Sequence, residues 1–206
     1  PTKEYIKSNG TKHDLINPTI RSKIIFGVSS IMKQLHNKNI IYRDLKPENI
    51  YLTDDLEPVI GDFELSKFMV DTLNMSMGVR TPVNMAPEVF MDGDETYSFE
   101  VDVFAYAIFL YRMFSTKIEF SDKKDFRSSQ QYLMKIGKGE RPVKPEIMPD
   151  HYWELVQKCW KQDPADRPTF DEITEILRND KFALEEFGMN TDIDELHQYQ
   201  NKMEPK

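Results

Sequence analysis

The run Tyr42-Arg43-Asp44-Leu45-Lys46-Pro47-Glu48-Asn49 puts an acid, an ammonium group and an amide into one short loop. Further along, Gly61 is followed by a second acid and an aromatic ring, Asp62-Phe63-Glu64. A carboxylate can accept a hydroxyl proton, and a lysine can neutralise a phosphate. An amide oxygen and a second carboxylate can share Mg²⁺ with substrate phosphates, since that ion takes oxygen ligands and is seldom caged by protein alone. These are the groups that phosphoryl transfer requires. Taken singly each is ordinary: Asp44 a surface acid, Lys46 a solvated charge, Asp62 a turn residue.

Such a set needs a body to hold it. The 206 residues are 39% apolar and include 13 Phe, 9 Tyr and 2 Trp, enough for a packed core. The length predicts one domain, or a domain and a tail. A net charge of −8 argues against general binding to nucleic acid or to an anionic membrane surface. The single cysteine, Cys159, excludes an internal disulfide and fits a reducing, cytoplasmic compartment. No run approaches the roughly 18 apolar residues of a membrane span. His13, His36, His151 and His197 are widely separated, so no zinc-type spacing exists. No secretory signal opens the chain, and a start at Pro1 without Met reads as a processed start or as a piece of a longer protein.

Asn17-Pro18 predicts a helix start, a cap followed by proline at the first helical position. Ile20, Ile24, Val28, Ile31, Met32 and Leu35 then recur at helical spacing, and Asn37-Lys38-Asn39 ends the pattern. Ile40-Ile41-Tyr42, Ile50-Tyr51-Leu52 and Val59-Ile60 are short β-like runs on either side of the charged loop. Residues 64–84 show no period and read as a long functional loop. Ser98 to Phe114 is apolar on nearly all sides, as for a central helix. Gly137, Gly139, Pro142, Pro145 and Pro149 mark an irregular connection. Leu155, Val156, Cys159 and Trp160 predict an amphipathic helix with Cys159 and Trp160 in the core. Thr169 with Glu172 predicts a capped helix start. Beyond Asn179 the chain is polar and acidic. That tail reads as a solvated helix, with Phe182, Leu184, Phe187, Met189 and Leu196 as the residues that would dock if it packs.

With these elements in place, the motifs resemble those of the protein kinases. Tyr42 to Asn49 is similar to the catalytic loop H-R-D-L-K-x-x-N, with Tyr42 in the His position. Asp62-Phe63-Glu64 resembles D-F-G, and Thr81-Pro82-Val83-Asn84-Met85-Ala86-Pro87-Glu88 resembles T-P-x-Y-M-A-P-E. Ser98 to Ala105 resembles S-x-x-x-D-V-[YF]-[SA]. Cys159 to Phe170 resembles C-W-x-x-D-P-x-x-R-P-x-F, a block that points to the tyrosine-kinase-like group. Lys46-Pro47-Glu48-Asn49 points to Ser/Thr substrates. The order and number of these motifs make coincidence untenable.

The resemblance implies a role for each residue. Asp44 orients the acceptor hydroxyl and takes its proton. Lys46 stabilises charge on the transferring phosphate of ATP. Asn49 and Asp62 hold Mg²⁺. Glu88 pairs with Arg167, Asp102 holds the backbone of the catalytic loop, and Tyr42 and Phe63 stack in the core beneath the site. Arg43 meets a phosphate on the activation segment, with Thr72, Ser76 or Thr81 as acceptors. The implied fold is the mainly α large lobe, with short β-hairpins at the cleft and the small lobe absent. Residues 1–16 form a hinge remnant, 17–178 the C-terminal lobe and 179–206 an acidic tail. The implied partners are a protein substrate bearing Ser or Thr and a regulatory protein, with neither nucleic acid nor membrane.

No G-x-G-x-x-G occurs in the 206 residues, nor do the strand lysine and helix glutamate of a small lobe, so this chain by itself is expected to bind nucleotide weakly and transfer phosphate negligibly. Glu64 stands in place of the glycine of D-F-G, Arg80 for a usual glycine and Asn84 for the tyrosine of T-P-x-Y-M-A-P-E. The rival expectation, favoured by Glu64 and by the missing small lobe, is a pseudokinase or scaffold that binds partners without catalysis. Retention of Asp44, Lys46, Asn49 and Asp62 together favours the enzyme.

Overall fold

The computed structural model describes residues 17–64, 66–68, 82–91, 98–121, 128–186 and 188–204. These are mainly helical, with short antiparallel strand pairs, and they fall into two compact units.

The first unit is built from residues up to 38, 47–62 and 170 onward. Its axis is helix α1, Pro18–Asn37. Asn17 caps α1, its side chain accepting the Ile20 N–H at 3.0 Å, and Pro18 occupies the first turn, where a missing N–H costs nothing. The helix ends as expected, and Asn39 beyond it has φ 57°. Ile24, Ile25, Val28 and Met32 are buried along it. Helix α6, Phe170–Leu177, begins directly after Thr169 and lies along α1. Lys33 meets Asp171 at 3.0 Å, and the His36 and Phe170 rings meet edge-on. Strands β2 (Ile50–Leu52) and β3 (Pro58–Ile60) form an antiparallel hairpin with Ile50 opposite Ile60 and Tyr51 opposite Val59. Ile50 and Ile60 are buried while Tyr51 and Val59 are exposed, the alternation of a one-sided sheet.

The second unit comprises residues 39–46 and 63–169. Strand β1, Ile40–Ile41, pairs with β4, Lys67–Phe68. The stretch expected as loop throughout therefore contains a short strand. It escapes periodicity because two residues carry no period. Helix α2 spans Pro87–Met91, and α3, Glu100–Phe114, forms the core. Phe104, Tyr106, Ile108, Phe109 and Leu110 are buried on all its sides. Helix α5, Asp150–Cys159, packs on α3, and Cys159 and Trp160 are buried as expected. Burial raises the Cys159 thiol pKa, so it stays a neutral core group. Helix α4, Ser129–Gly137, was not foreseen. Its cap, Ser128 accepting from Gln131 N–H, is its one local sequence signal.

Candidate functional site

In the second unit the loop after β1 carries the acid and the lysine. Asp44 is buried, and Lys46 Nζ donates to Asp44 Oδ2 at 2.6 Å. Both partners are ionisable and largely sheltered, which makes this a strong hydrogen bond. The loop's path is fixed by Asp102 in the first turn of α3. Asp102 is 0% exposed; its Oδ2 accepts the Tyr42 N–H at 2.8 Å and its Oδ1 accepts the Arg43 N–H at 2.7 Å. Arg43 has φ 73°, a left-handed conformation that costs a non-glycine residue about 1–3 kcal/mol and needs its surroundings to impose it. The two bonds to Asp102 do so at the residue just before Asp44.

Tyr42 is fully buried and meets the Phe63 ring edge-to-face, centroids 5.4 Å apart. Phe63 itself is 49% exposed. The expectation that both rings lie in the core holds for Tyr42 only, because Tyr42 covers one part of Phe63 and the rest stays open. Glu64, also exposed, follows it in a turn.

In the first unit the β2–β3 hairpin carries the two oxygen-bearing residues. Asn49 ends the short turn Pro47–Asn49 and is buried. Its carbonyl accepts the Gly61 N–H at 3.0 Å, so Asn49 and Gly61 face each other one step beyond the Ile50–Ile60 pair. Asp62 comes next, exposed and with φ 56°. Among the described residues no partner engages its carboxylate. An amide oxygen and an unengaged carboxylate at one hairpin end are hard donors of the kind Mg²⁺ selects. No group of three or more His, Cys, Asp or Glu among the described residues could cage a metal. The residues thus fit an ion whose remaining ligands come from phosphates and water.

Sequence reasoning missed Tyr51. Its ring lies over Gly61, where a Cβ would come within 2.7 Å of Tyr51 Cε2. Gly61 is needed for that close approach. The ring is 39% exposed, an aromatic surface over Gly61, the residue between Ile60 and Asp62. The available signal was an aromatic residue two positions after Asn49.

Two further expectations concern the second unit. Arg167 NH1 and NH2 donate to Glu88 Oε1 and Oε2 at 2.6 and 2.8 Å, as expected. Arg167 also donates to the Glu100 and Lys161 carbonyls, and its guanidinium lies over Phe104. Asn84 turns its side chain into a recess lined by Arg43, Asp44, Met85, Ala86, Val89, Val101 and Ala105. It is buried, and among the described residues neither its Oδ1 nor its Nδ2 has a hydrogen-bond partner. Thr72, Ser76, Arg80, Thr81 and the hinge stretch lie outside the described residues.

The family follows from comparison with known proteins. The family model described as protein kinase domain matches residues 2–179. RGS domain-containing serine/threonine-protein kinase A of Dictyostelium discoideum is 36% identical over 159 residues, 77% of this chain and 14% of that protein. Probable serine/threonine-protein kinase roco9 of the same organism is 36% identical over 181 residues, 84% of this chain and 5% of that protein. Serine/threonine-protein kinase STY17 of Arabidopsis thaliana is 34% identical over 155 residues, 75% of this chain and 26% of that protein. The chain belongs to the protein kinase family, and its mainly helical body with short strand pairs is that of the family's large lobe. It spans only a minor part of each of these relatives.

Proposed function

We propose that the protein is a serine/threonine kinase that transfers the γ-phosphate of ATP to a hydroxyl of a protein substrate, and that this chain carries the catalytic loop and the metal ligands. The observation that carries the reading is the 2.6 Å bond between Lys46 and Asp44 on a loop pinned by Asp102. In this reading Asp44 orients the acceptor hydroxyl and receives its proton as the new oxygen–phosphorus bond forms and ADP departs. Lys46, a compact point charge, offsets negative charge on the transferring group. Asn49 and Asp62 hold Mg²⁺, which when bound neutralises charge on the phosphates. The exposed face of Tyr51 suits a flat base, since stacking on an aromatic ring is tolerant of base identity. Catalysis is then mostly positioning and charge neutralisation.

The block Cys159 to Phe170 supports a place in the tyrosine-kinase-like group. The single buried Cys159 supports a reducing, cytoplasmic setting. No described helix is long and apolar enough to cross a membrane. The hinge at 1–16, the lobe at 17–178 and the tail from 179 remain the proposed boundaries. The competing reading, a scaffold without catalysis, draws on Glu64 and its exposed position. Incubating the full-length protein with γ-labelled ATP, Mg²⁺ and a generic Ser/Thr-rich acceptor separates the two. The kinase reading expects acid-stable label on Ser or Thr that EDTA abolishes. Nucleotide binding with no label transferred to any acceptor would favour the scaffold.

A further inference from the structure

The family match stops at residue 179, yet the chain beyond it is firmly packed. Strands β5 (Glu185–Glu186) and β6 (Met189–Asn190) form a small hairpin, and helix α7 spans Ile193–Lys202. The acidic tail is therefore a docked element, not the solvated helix its polar composition suggested. Composition misleads because the docking residues are scattered among polar ones and act with hydroxyls and charges of α1. Ser22 Oγ on α1 accepts the Leu184 N–H at 3.0 Å, and Thr19 Oγ1 accepts the Asp192 N–H at 2.8 Å. Arg21 pairs with Glu186, and Lys23 with Glu195. Leu184, Leu196 and Tyr199 are buried.

The far end of α7 reaches the β2–β3 hairpin. Tyr199, 4% exposed, sits where Gly27 of α1 has no side chain. A Cβ on Gly27 would lie 2.5 Å from Pro58 Cγ and 3.2 Å from Tyr199 Cζ, so the bare glycine lets α1, α7 and the start of β3 meet. Lys202 Nζ donates to both carboxylate oxygens of Glu57, each at 2.8 Å, at the residue before β3. A two-stranded hairpin is marginal in water without support from packing. This one exposes Tyr51 and Val59 on its outer face, so its support comes through the inner side. Asn49 and Asp62 stand at its open end.

We propose that residues 183–186 and 188–204 brace the β2–β3 hairpin, with Tyr199 as a positioning residue for Asn49 and Asp62. This rests on the reading of those two residues as Mg²⁺ ligands. Loss of the brace leaves the acid and lysine of the catalytic loop in place but loosens the pair that holds the cation. The Lys202–Glu57 pair is exposed and contributes little by itself. The buried Tyr199 ring carries the effect. Consistent with that contact, burial first and the Glu57 carboxylate second raise the Tyr199 phenol pKa.

The test compares wild type, Tyr199→Ala and Tyr199→Phe in the full-length protein. The first readout is amide exchange of Gly61, the donor to Asn49, with α3 amides as the control. The second is affinity for a fluorescent ATP analogue with and without Mg²⁺. The expected result for Tyr199→Ala is about tenfold faster Gly61 exchange, unchanged α3 exchange, and a roughly tenfold loss of Mg²⁺-dependent affinity, the range seen when support around metal ligands is removed. Tyr199→Phe should match wild type. Where Tyr199→Ala does not fold, Tyr199→Leu makes the same comparison. Unchanged Gly61 exchange overturns the brace. Faster exchange with unchanged Mg²⁺-dependent affinity overturns its functional half. A wild type that binds the analogue equally with and without Mg²⁺ overturns the ligand reading of Asn49 and Asp62, and Gly61 exchange then decides the brace alone.

Discussion

The Arg167 guanidinium meets the Glu88 carboxylate through two parallel hydrogen bonds, with the Arg167 side chain fully buried. This ties the block at the end of the second unit to helix α2. Removing one partner leaves the other charge sheltered and unmatched, which costs about 3–5 kcal/mol. Arg167→Ala should therefore unfold at markedly lower denaturant concentration. Arg167→Lys should recover little, since an ammonium cannot reproduce a planar fork that also serves three carbonyls. Urea titrations of both variants measure this. Equal loss of under ~1 kcal/mol in each would contradict the fork's importance.

Asn84 makes the opposite prediction. Its buried amide has no partner among the described residues, a state that costs about 1–3 kcal/mol. The recess around it is mostly apolar, from Met85, Ala86, Val89, Val101 and Ala105. Asn84→Leu should raise stability by about 1 kcal/mol, read as a higher urea midpoint at constant slope. A lower midpoint would mean that the amide is satisfied in solution.

Alkaline pH should weaken the fold in a defined window. Burial is the first cause raising the phenol pKa values of Tyr111, Tyr132 and Tyr199 above the ordinary 10.0. Each folded pKa exceeds its unfolded value, so the unfolded chain releases these protons first. Their contribution is complete below pH 10 and is lost as pH rises above it, by up to about 1.4 kcal/mol per pH unit for each group, while the buried Cys159 thiol, raised from 9.0, adds a loss that begins nearer pH 9. Melting curves from pH 8 to 11 should stay level and then drop. Tyr199→Phe should soften the drop, and an identical alkaline limb would contradict the assignment.

Much of this was legible in the sequence, for identifiable reasons. Asn17-Pro18 set the start of α1 because cap chemistry is local. The Glu88–Arg167 pair was anticipated because each residue stands in a motif of fixed residue order. The Lys67–Phe68 strand was missed because it depends on its partner Ile40–Ile41. The docking of α7 was missed because it depends on a bare Gly27, whose role appears only when Tyr199 and Pro58 arrive beside it. The half-open Phe63 was mistaken for core because a ring's burial depends on what else covers it.

The 206-residue chain by itself should bind nucleotide weakly, since it contains no glycine-rich loop to cover the phosphates. Millimolar ATP with Mg²⁺ should shift its melting temperature by no more than a degree or so, because a ligand stabilises only in proportion to how far its concentration exceeds its Kd. A shift of several degrees would show that these residues alone form an adequate pocket.

The most direct test of the central claim is the rate of phosphate transfer by the full-length protein and by its Asp44→Asn variant, at saturating ATP and Mg²⁺. Asparagine keeps the shape and loses the capacity to accept a proton. The account predicts a fall in kcat of about 10²–10⁴-fold with nucleotide affinity retained. Equal rates in the two proteins would contradict it.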